Sequence, residues 1–327
     1  MEKSVMAGTR RTLRVAAVQM VSENAKVAEN LKHTTGFVEE AAARGAKLVL
    51  LPEFMPPGYI FTEEIWSGAE PKEGPTVKWM KETSKRLGVW LGTSYLEADG
   101  EDFYNTFVLT NPQGEEDGRV RKQTPSVGEA FFTRGEAGPH VINTQLGRIG
   151  VGICLENALA YTPGYMYSQS ADLMLQPHSS PARTVSKLVS PKAVETIRNT
   201  LEKRPLLYAD MLGIPVIFCN RSGQFISPMP GIPFLKQDTH FDGLSAIVDS
   251  DGTQKARLGS EEGVIVEDVI LDPALKKKVP PVTYGRYAMP DAHWTKNAVI
   301  LIEAAYGLCY LFSRERKRRA REISRSH

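Results

Sequence analysis

Cysteine is scarce: Cys154, Cys219 and Cys309 are all that 327 residues contain, an odd number that cannot build a disulfide framework. That scarcity favours a reducing, cytoplasmic compartment. An excess of either charge is missing too, with 40 Lys and Arg against 38 Asp and Glu and a net charge of +2, so a broad nucleic-acid face is not expected. No stretch of eighteen apolar residues occurs, which argues against a membrane-spanning helix. The first twenty residues hold no apolar run ending in a small-residue cleavage site, so no signal peptide is expected. His-Glu-x-x-His, paired Cys-x-x-Cys and phosphate-binding glycine loops are absent. The 42% apolar and 24% charged residues that remain are those of a globular chain.

Along the chain, short apolar runs alternate with helical patterns. RVAAVQM (14–20) has the length of a buried strand, 24–44 carries apolar residues at mostly helical spacing, and KLVLLP (47–52) is a second strand ended by Pro52. Strand, helix, strand within about forty residues favours a layered α/β fold. Helices are expected at 76–87 and 192–213. Strands are expected at 89–97, 105–110, 147–155, 171–176, 214–220, 241–248 and 264–270, with turns at 111–114 and 249–252. Residues 11–275 read as one domain, 276–292 as a Lys/Pro-rich linker, and 293–327 as an apolar then basic tail.

Charge is uneven at that tail. Residues 313–327 hold seven Lys or Arg against Glu315 and Glu322, and the body before them is mildly acidic. Residues 298–312 (AVILIEAAYGLCYLF) carry one charge, Glu303; a helix there would be roughly 22 Å long, short of the ~30 Å hydrocarbon core. Two readings stand: an interfacial helix drawn to an anionic membrane surface by the arginines, or a helix packed on its own body or a second subunit with a solvated basic end.

Three residues sit where strands should end and loops can face a ligand: Glu53 after Pro52, Lys122 in RVRKQTPS, and Cys154 closing GVGIC. A thiolate is the strongest of the common nucleophiles, a carboxylate can take its proton, and an ammonium can offset a developing oxyanion together with a backbone N–H, here that of Leu155. Each alone has a plainer reading: Cys154 as a small buried hydrophobe, Glu53 as a helix-start carboxylate, and Lys122 as part of a solvated cluster.

Together they form a pattern. RVAAVQM, LVLLPEFMPPGY, GRVRKQTPSVGEAFFTRGE and GRIGVGICLEN, in that order, resemble the nitrilase, or carbon–nitrogen hydrolase, superfamily from about Arg14 to Asp272. The resemblance implies a four-layer α-β-β-α sandwich without a cofactor, commonly a dimer or a higher even-numbered assembly. It puts the general base on Glu53, the lysine role on Lys122, the nucleophile on Cys154, and a second glutamate near the thiol on Glu129. The substrate implied is a small amide, N-acyl compound or nitrile, cleaved through a thioester. Acyl transfer to an amine and a catalytically silent scaffold are the alternatives. Tyr59, Leu155, Asn157 and His178 are the expected substrate contacts. Cys-Leu-Glu-Asn, where many amidases have an aromatic residue and then aspartate, stands closer to nitrilases. Bulky apolar residues in 55–61 and 222–236, read as loops, suit a hydrophobic or amphiphilic substrate.

Overall fold

The computed structural model describes residues 9–126, 132–185, 190–229, 232–290 and 310–326. Glu129, Cys309 and most of the apolar segment 298–312 lie outside the described residues.

Two six-stranded mixed sheets stack face to face. In the first the order is β14 (Gly263–Leu271), β1 (Arg11–Gln19), β2 (Leu48–Leu50), β3 (Trp90–Asp99), β4 (Asp102–Thr110), β5 (Glu116–Arg121). In the second it is β13 (Gln254–Arg257), β12 (Ala246–Val248), β9 (Val216–Cys219), β8 (Leu173–Pro177), β7 (Gly147–Val151), β6 (Val141–Thr144). Each has a parallel centre, β1–β2–β3 and β7–β8–β9, flanked by antiparallel strands.

Why RVAAVQM is apolar almost throughout follows from this stacking. Val15 and Ala17 point into the core between the sheets, with Leu50, Leu109, Ile149, Leu175 and Ile217. The alternate residues Ala16 and Val18 point outward against α1 (Val27–Ala43) and α2 (Pro75–Leu87). A strand buried on both faces has no polar alternation to show. On the far side, α3 (Tyr161–Ser168) and α4 (Pro191–Leu212) cover the second sheet through Met166, Met174, Tyr208 and Val216. The α-β-β-α sandwich is therefore present.

The helices expected at 24–44, 76–87 and 192–213 form with shifted ends. Pro75 and Pro191 open α2 and α4, and Gly88 and Gly213, both left-handed, close them. One expectation fails: residues 222–236, read as loop, belong instead to a hairpin of β10 (Gln224–Met229) and β11 (Ile232–His240). Where it is described, the 276–292 stretch packs on the body: the Ala160 N–H donates to Arg286 O, the Ala288 N–H to Ala158 O, and Tyr287, Ala288 and Met289 are buried.

The tail folds back on the body. A fifth helix, α5 (Arg314–Ser324), is capped by the Ser313 hydroxyl and packs on β3 and β4, placing Ala320 and Ile323 in the cluster around Trp66 and Phe103. Arg316 is buried to 1% exposure and pairs with Asp102, which also accepts from Thr133. Lys317 and Arg321 face Glu101, Arg318 faces Glu315 and Glu322, and Arg319 faces Glu315. Among the described residues no helix is long and apolar enough to cross a membrane.

Removing Asp102 leaves the buried Arg316 uncompensated, typically at a cost of about 3 kcal/mol or more, whereas removing Arg316 leaves Asp102, whose side chain is one-third exposed and can be solvated. Asp102→Ala is therefore expected to lower stability in urea denaturation more than Arg316→Met does; the reverse order would show that α5 is not held by this pair.

Candidate active site

The carboxyl ends of the parallel strands of both sheets meet at one end of the sandwich. Glu53, three residues beyond β2, is fully buried, and its Oε1 accepts from Lys122 Nζ at 2.7 Å and Asn105 Nδ2 at 2.9 Å. Lys122 follows β5 directly. Its position is fixed by the β4–β5 pairing, because its N–H donates to Asn105 O and its carbonyl accepts from Gly135. An ion pair so deeply desolvated survives only with further hydrogen bonds on the same groups, which Asn105 supplies.

Cys154 opens a short 3₁₀ turn (Cys154–Ala158) beyond β7, with φ at +50°, a left-handed conformation uncommon for a side-chain-bearing residue. Strain of this kind, of order 1–3 kcal/mol, persists where surrounding structure enforces it. Here the enforcing group is Asn157, whose Nδ2 donates to Gly152 O at 2.7 Å. A Cβ on Gly152 would stand 2.1 Å from Asn157 Oδ1, so only glycine lets the turn close this tightly. Phe54, next to Glu53, is left-handed as well, with its N–H held by Ser94 Oγ. Leu155, half-buried, lies in the first turn of this 3₁₀ helix, where an N–H has no acceptor within the helix.

The three positions are tied together by neighbours. Ser179 Oγ donates to Glu53 O at 2.6 Å, and the next residue, Ser180, has its Oγ 3.4 Å from Cys154 Sγ. From the lysine side, Glu156 accepts from the Gln123 N–H at 2.7 Å and from the Ile153 N–H at 3.0 Å, joining the loop after Lys122 to the cysteine turn. Tyr161 OH donates to the same carboxylate. Burial pushes the Glu156 carboxyl up to about 7, with the Lys122 charge and these donors pulling the other way.

Asn157 and His178, two of the expected substrate contacts, sit at the cysteine turn. Both are fully buried and bonded to each other, Asn157 Nδ2 to His178 Nε2 at 3.0 Å. Since Asn157 Nδ2 is a donor, fixed as such by Gly152 O, the His178 Nε2 accepts and its proton sits on Nδ1. That nitrogen then donates to Ser180 Oγ at 3.0 Å, which frees the Ser180 hydroxyl to donate toward Cys154 Sγ. Burial, together with the Arg204 and Lys122 charges, holds His178 well below its usual range and thus neutral. Ser180, not His178, is the group that reaches the thiol.

Tyr59 lies in an aromatic cluster with Phe54, Phe61, Phe225 and Phe241, its hydroxyl 3.1 Å from Ser126 Oγ. Phe225 comes from the hairpin, and the Phe61 N–H donates to Ser227 Oγ on the same strand, so β10 forms part of this wall. Arg221 is sealed beneath it, donating to Ser22 O with its guanidinium over Phe241. Among the described residues no group of three His, Cys, Asp or Glu side chains is placed to hold a metal ion. No sequence motif singles out Asn105, Ser179, Ser180 or Arg204, and the Cys-Leu-Glu-Asn order is equally compatible with a structural Glu156 and one that touches substrate. Their parts depend on contacts across the two sheets that no local motif records.

Residues 14–274 match the carbon-nitrogen hydrolase family, and the chain belongs to that family. The N-carbamoylputrescine amidase of Solanum tuberosum is 28% identical over 290 residues, covering 84% of this chain and 91% of that protein. The chloroplastic omega-amidase of Arabidopsis thaliana is 35% identical over 144 residues, 39% of this chain and 38% of that protein, so the chain spans less than two thirds of that relative. The carbon-nitrogen hydrolase of Helicobacter pylori G27 has a similar fold, with a TM-score of 0.66 at 20% identity over 79% of this chain and 89% of that one.

Glu156 makes a pH prediction. Its folded value, about 7, lies above its ordinary 4.5. Its contribution is therefore fully present below pH 4.5 and is lost as pH rises toward 7, by about 3 kcal/mol. The stability difference between the parent and Glu156→Gln, from urea midpoints across pH 4.5–7.5, should move against the parent as pH rises. A difference flat with pH would mean that Glu156 is not held in a charge-excluding site.

Proposed function

We propose that this chain hydrolyses non-peptide carbon–nitrogen bonds, most simply those of linear or N-acyl amides, through a thioester on Cys154. The observation that carries this reading is the buried Glu53–Lys122 pair, tethered through Ser179–Ser180 and Glu156 to a strained cysteine at the ends of both sheets.

In this reading Glu53 takes the thiol proton as Cys154 Sγ attacks the amide carbon. The Lys122 ammonium and the Leu155 N–H stabilise the resulting oxyanion. The carbon–nitrogen bond then breaks, and the proton leaves with ammonia or an amine. Glu53 next takes a proton from water, the hydroxide so formed attacks the thioester, and the acid departs as the thiol is restored. Ser180 donates to the thiolate while it exists. Glu129 belongs to the proposal as a second carboxylate near the thiol.

The aromatic wall of Tyr59, Phe61, Phe225 and Phe241 supports an apolar group on the substrate. A lipid surface enters this reading only through the apolar segment 298–312, because most cations of α5 already face carboxylates of the same chain. Nitrile cleavage is the second reading, supported by the Cys-Leu-Glu-Asn order and by a 30% identical nitrilase of Pyrococcus abyssi, matched over 64% of its length.

The test is ammonia or amine release from amides, carbamoyl compounds, N-acyl amino acids and nitriles of increasing length. Cys154→Ala is expected to lower turnover at least about 10³-fold, as removal of a covalent nucleophile does. Intact-protein mass spectrometry of the parent should show an acyl adduct on Cys154. Turnover that survives in Cys154→Ala would overturn the thioester, and faster turnover of nitriles than of amides would promote the second reading.

A further inference from the structure

Arg204 lies on the buried face of α4 at 8% exposure, one helical turn before Tyr208. Tyr208 OH donates to Asn157 O at 3.0 Å, which ties this face of the helix to the cysteine turn. The guanidinium pairs with no carboxylate among the described residues, and its Nε is buried with no hydrogen-bond partner. Its charge acts on both Cys154 and His178, and burial pulls its own proton affinity down.

A buried, unpaired guanidinium is unfavourable by several kcal/mol unless something completes it. Nearby groups are already engaged. Glu53 holds Lys122 and Asn105, Glu156 accepts from the Ile153 and Gln123 amides and from Tyr161, and His178 is neutral and bonded at both nitrogens. Arg221, the other buried arginine at this end, differs. Its Nε and Nη1 are also buried without a partner, but it donates to Ser22 O, lies over Phe241 and is 1% exposed, so the fold walls it in on every side. Arg204 keeps more exposure and a set of donors suited to a planar anion.

We propose that Arg204 is the anchor for a carboxylate on the substrate, so that the amides or carbamoyl compounds turned over at Cys154 are acids rather than neutral or cationic molecules. This rests on the thioester reading and narrows it. The carboxylate completes Arg204 when substrate binds, and with α4 held to the cysteine turn by Tyr208 that anchor selects which carbon meets the thiol. An apolar portion against the Tyr59 wall is compatible with this, the substrate then being amphiphilic by virtue of its own acid group.

The experiment uses pairs of amides matched in length, one member ending in a carboxylate and the other in the corresponding methyl ester, with the full-length protein. The parent should favour the acid by about 100-fold in kcat/KM, the size of one charge-assisted bidentate contact. Arg204→Met should bring that ratio near unity, chiefly through KM, and Arg204→Lys should restore part of it. Binding is read separately as thermal stabilisation of Cys154→Ala, which cannot turn substrate over: the acid should raise its Tm more than the ester does, and Arg204→Met in that background should abolish the difference. Should Arg204→Met fail to fold, Arg204→Lys and Arg204→Gln carry the same comparison. A parent without preference for acids overturns the proposal. So does an equal fall in kcat for acid and ester, which would assign Arg204 to the thiolate. Turnover that persists in Cys154→Ala would instead sink the thioester while leaving the acid preference measurable.

Discussion

The structure turns on one contact, the ion pair between Glu53 and Lys122 with both side chains out of reach of water. Two opposite charges taken out of water are stable only when every other requirement of each group is met nearby. Meeting them ties distant parts of the chain together. The carboxylate stands on the loop after β2, the ammonium on the loop after β5, and Asn105 on β4 bonds the first by its side chain and the second by its backbone. The β4–β5 register is therefore part of the site: a slip of one residue would turn Lys122 toward the opposite face and strand the carboxylate.

The second sheet completes what the first begins, by similar means. Each sheet places parallel strands at its centre, so their carboxyl ends face the same way and their loops are free of the next strand. In both, the residue at or beside the reactive position is left-handed, Phe54 in one and Cys154 in the other. Neither conformation would hold in an isolated loop. Ser94 fixes the first through its hydroxyl, and Asn157 fixes the second by pulling on Gly152. The strain is thus maintained by polar groups packed into the sandwich, and the rigidity of the core is what presents the thiol.

Legibility from sequence divides along the same line. Glu53, Lys122 and Cys154 could be read because each ends a run of strand residues and stands in a short motif with its own punctuation. A layered α/β fold could be read because apolar runs without alternation alternate with helical spacing, whereas the α-β-β-α order of the layers came only from the family resemblance. The β10–β11 hairpin could not: Pro228, Pro230 and Gly231 give it the composition of a loop, and its pairing partner is simply the other half of itself. Helix α3 was missed because Pro163 and Gly164 sit inside its eight residues. Ser180 and Arg204 had no local signal: they lie 26 and 50 residues along the chain from Cys154, and only the stacking of strands and helices brings them to the thiol. Glu156 stands in the cysteine turn itself, but its contact with Gln123 spans 33 residues.

Charge shows why composition misleads when it is read without geometry. The basic tail looks like a free cationic arm, yet α5 spaces Glu315 and Glu322 three or four residues from Arg318 and Arg319, so much of that charge is matched on its own surface. Arg316 and Arg321 then reach Asp102 and Glu101 at the β3–β4 turn, a patch that was acidic before the helix arrived. The near-neutral net charge hides the opposite situation inside, where Lys122, Arg204 and Arg221 lie close to Glu53 and Cys154 while Glu156 resists ionisation. In a low-dielectric interior that imbalance weighs far more than several exposed arginines in water. Among the described residues, Arg204 and Arg221 are buried cations that no carboxylate pairs, and their charges act on Cys154 and Glu53 at the ends of the parallel strands rather than on the tail.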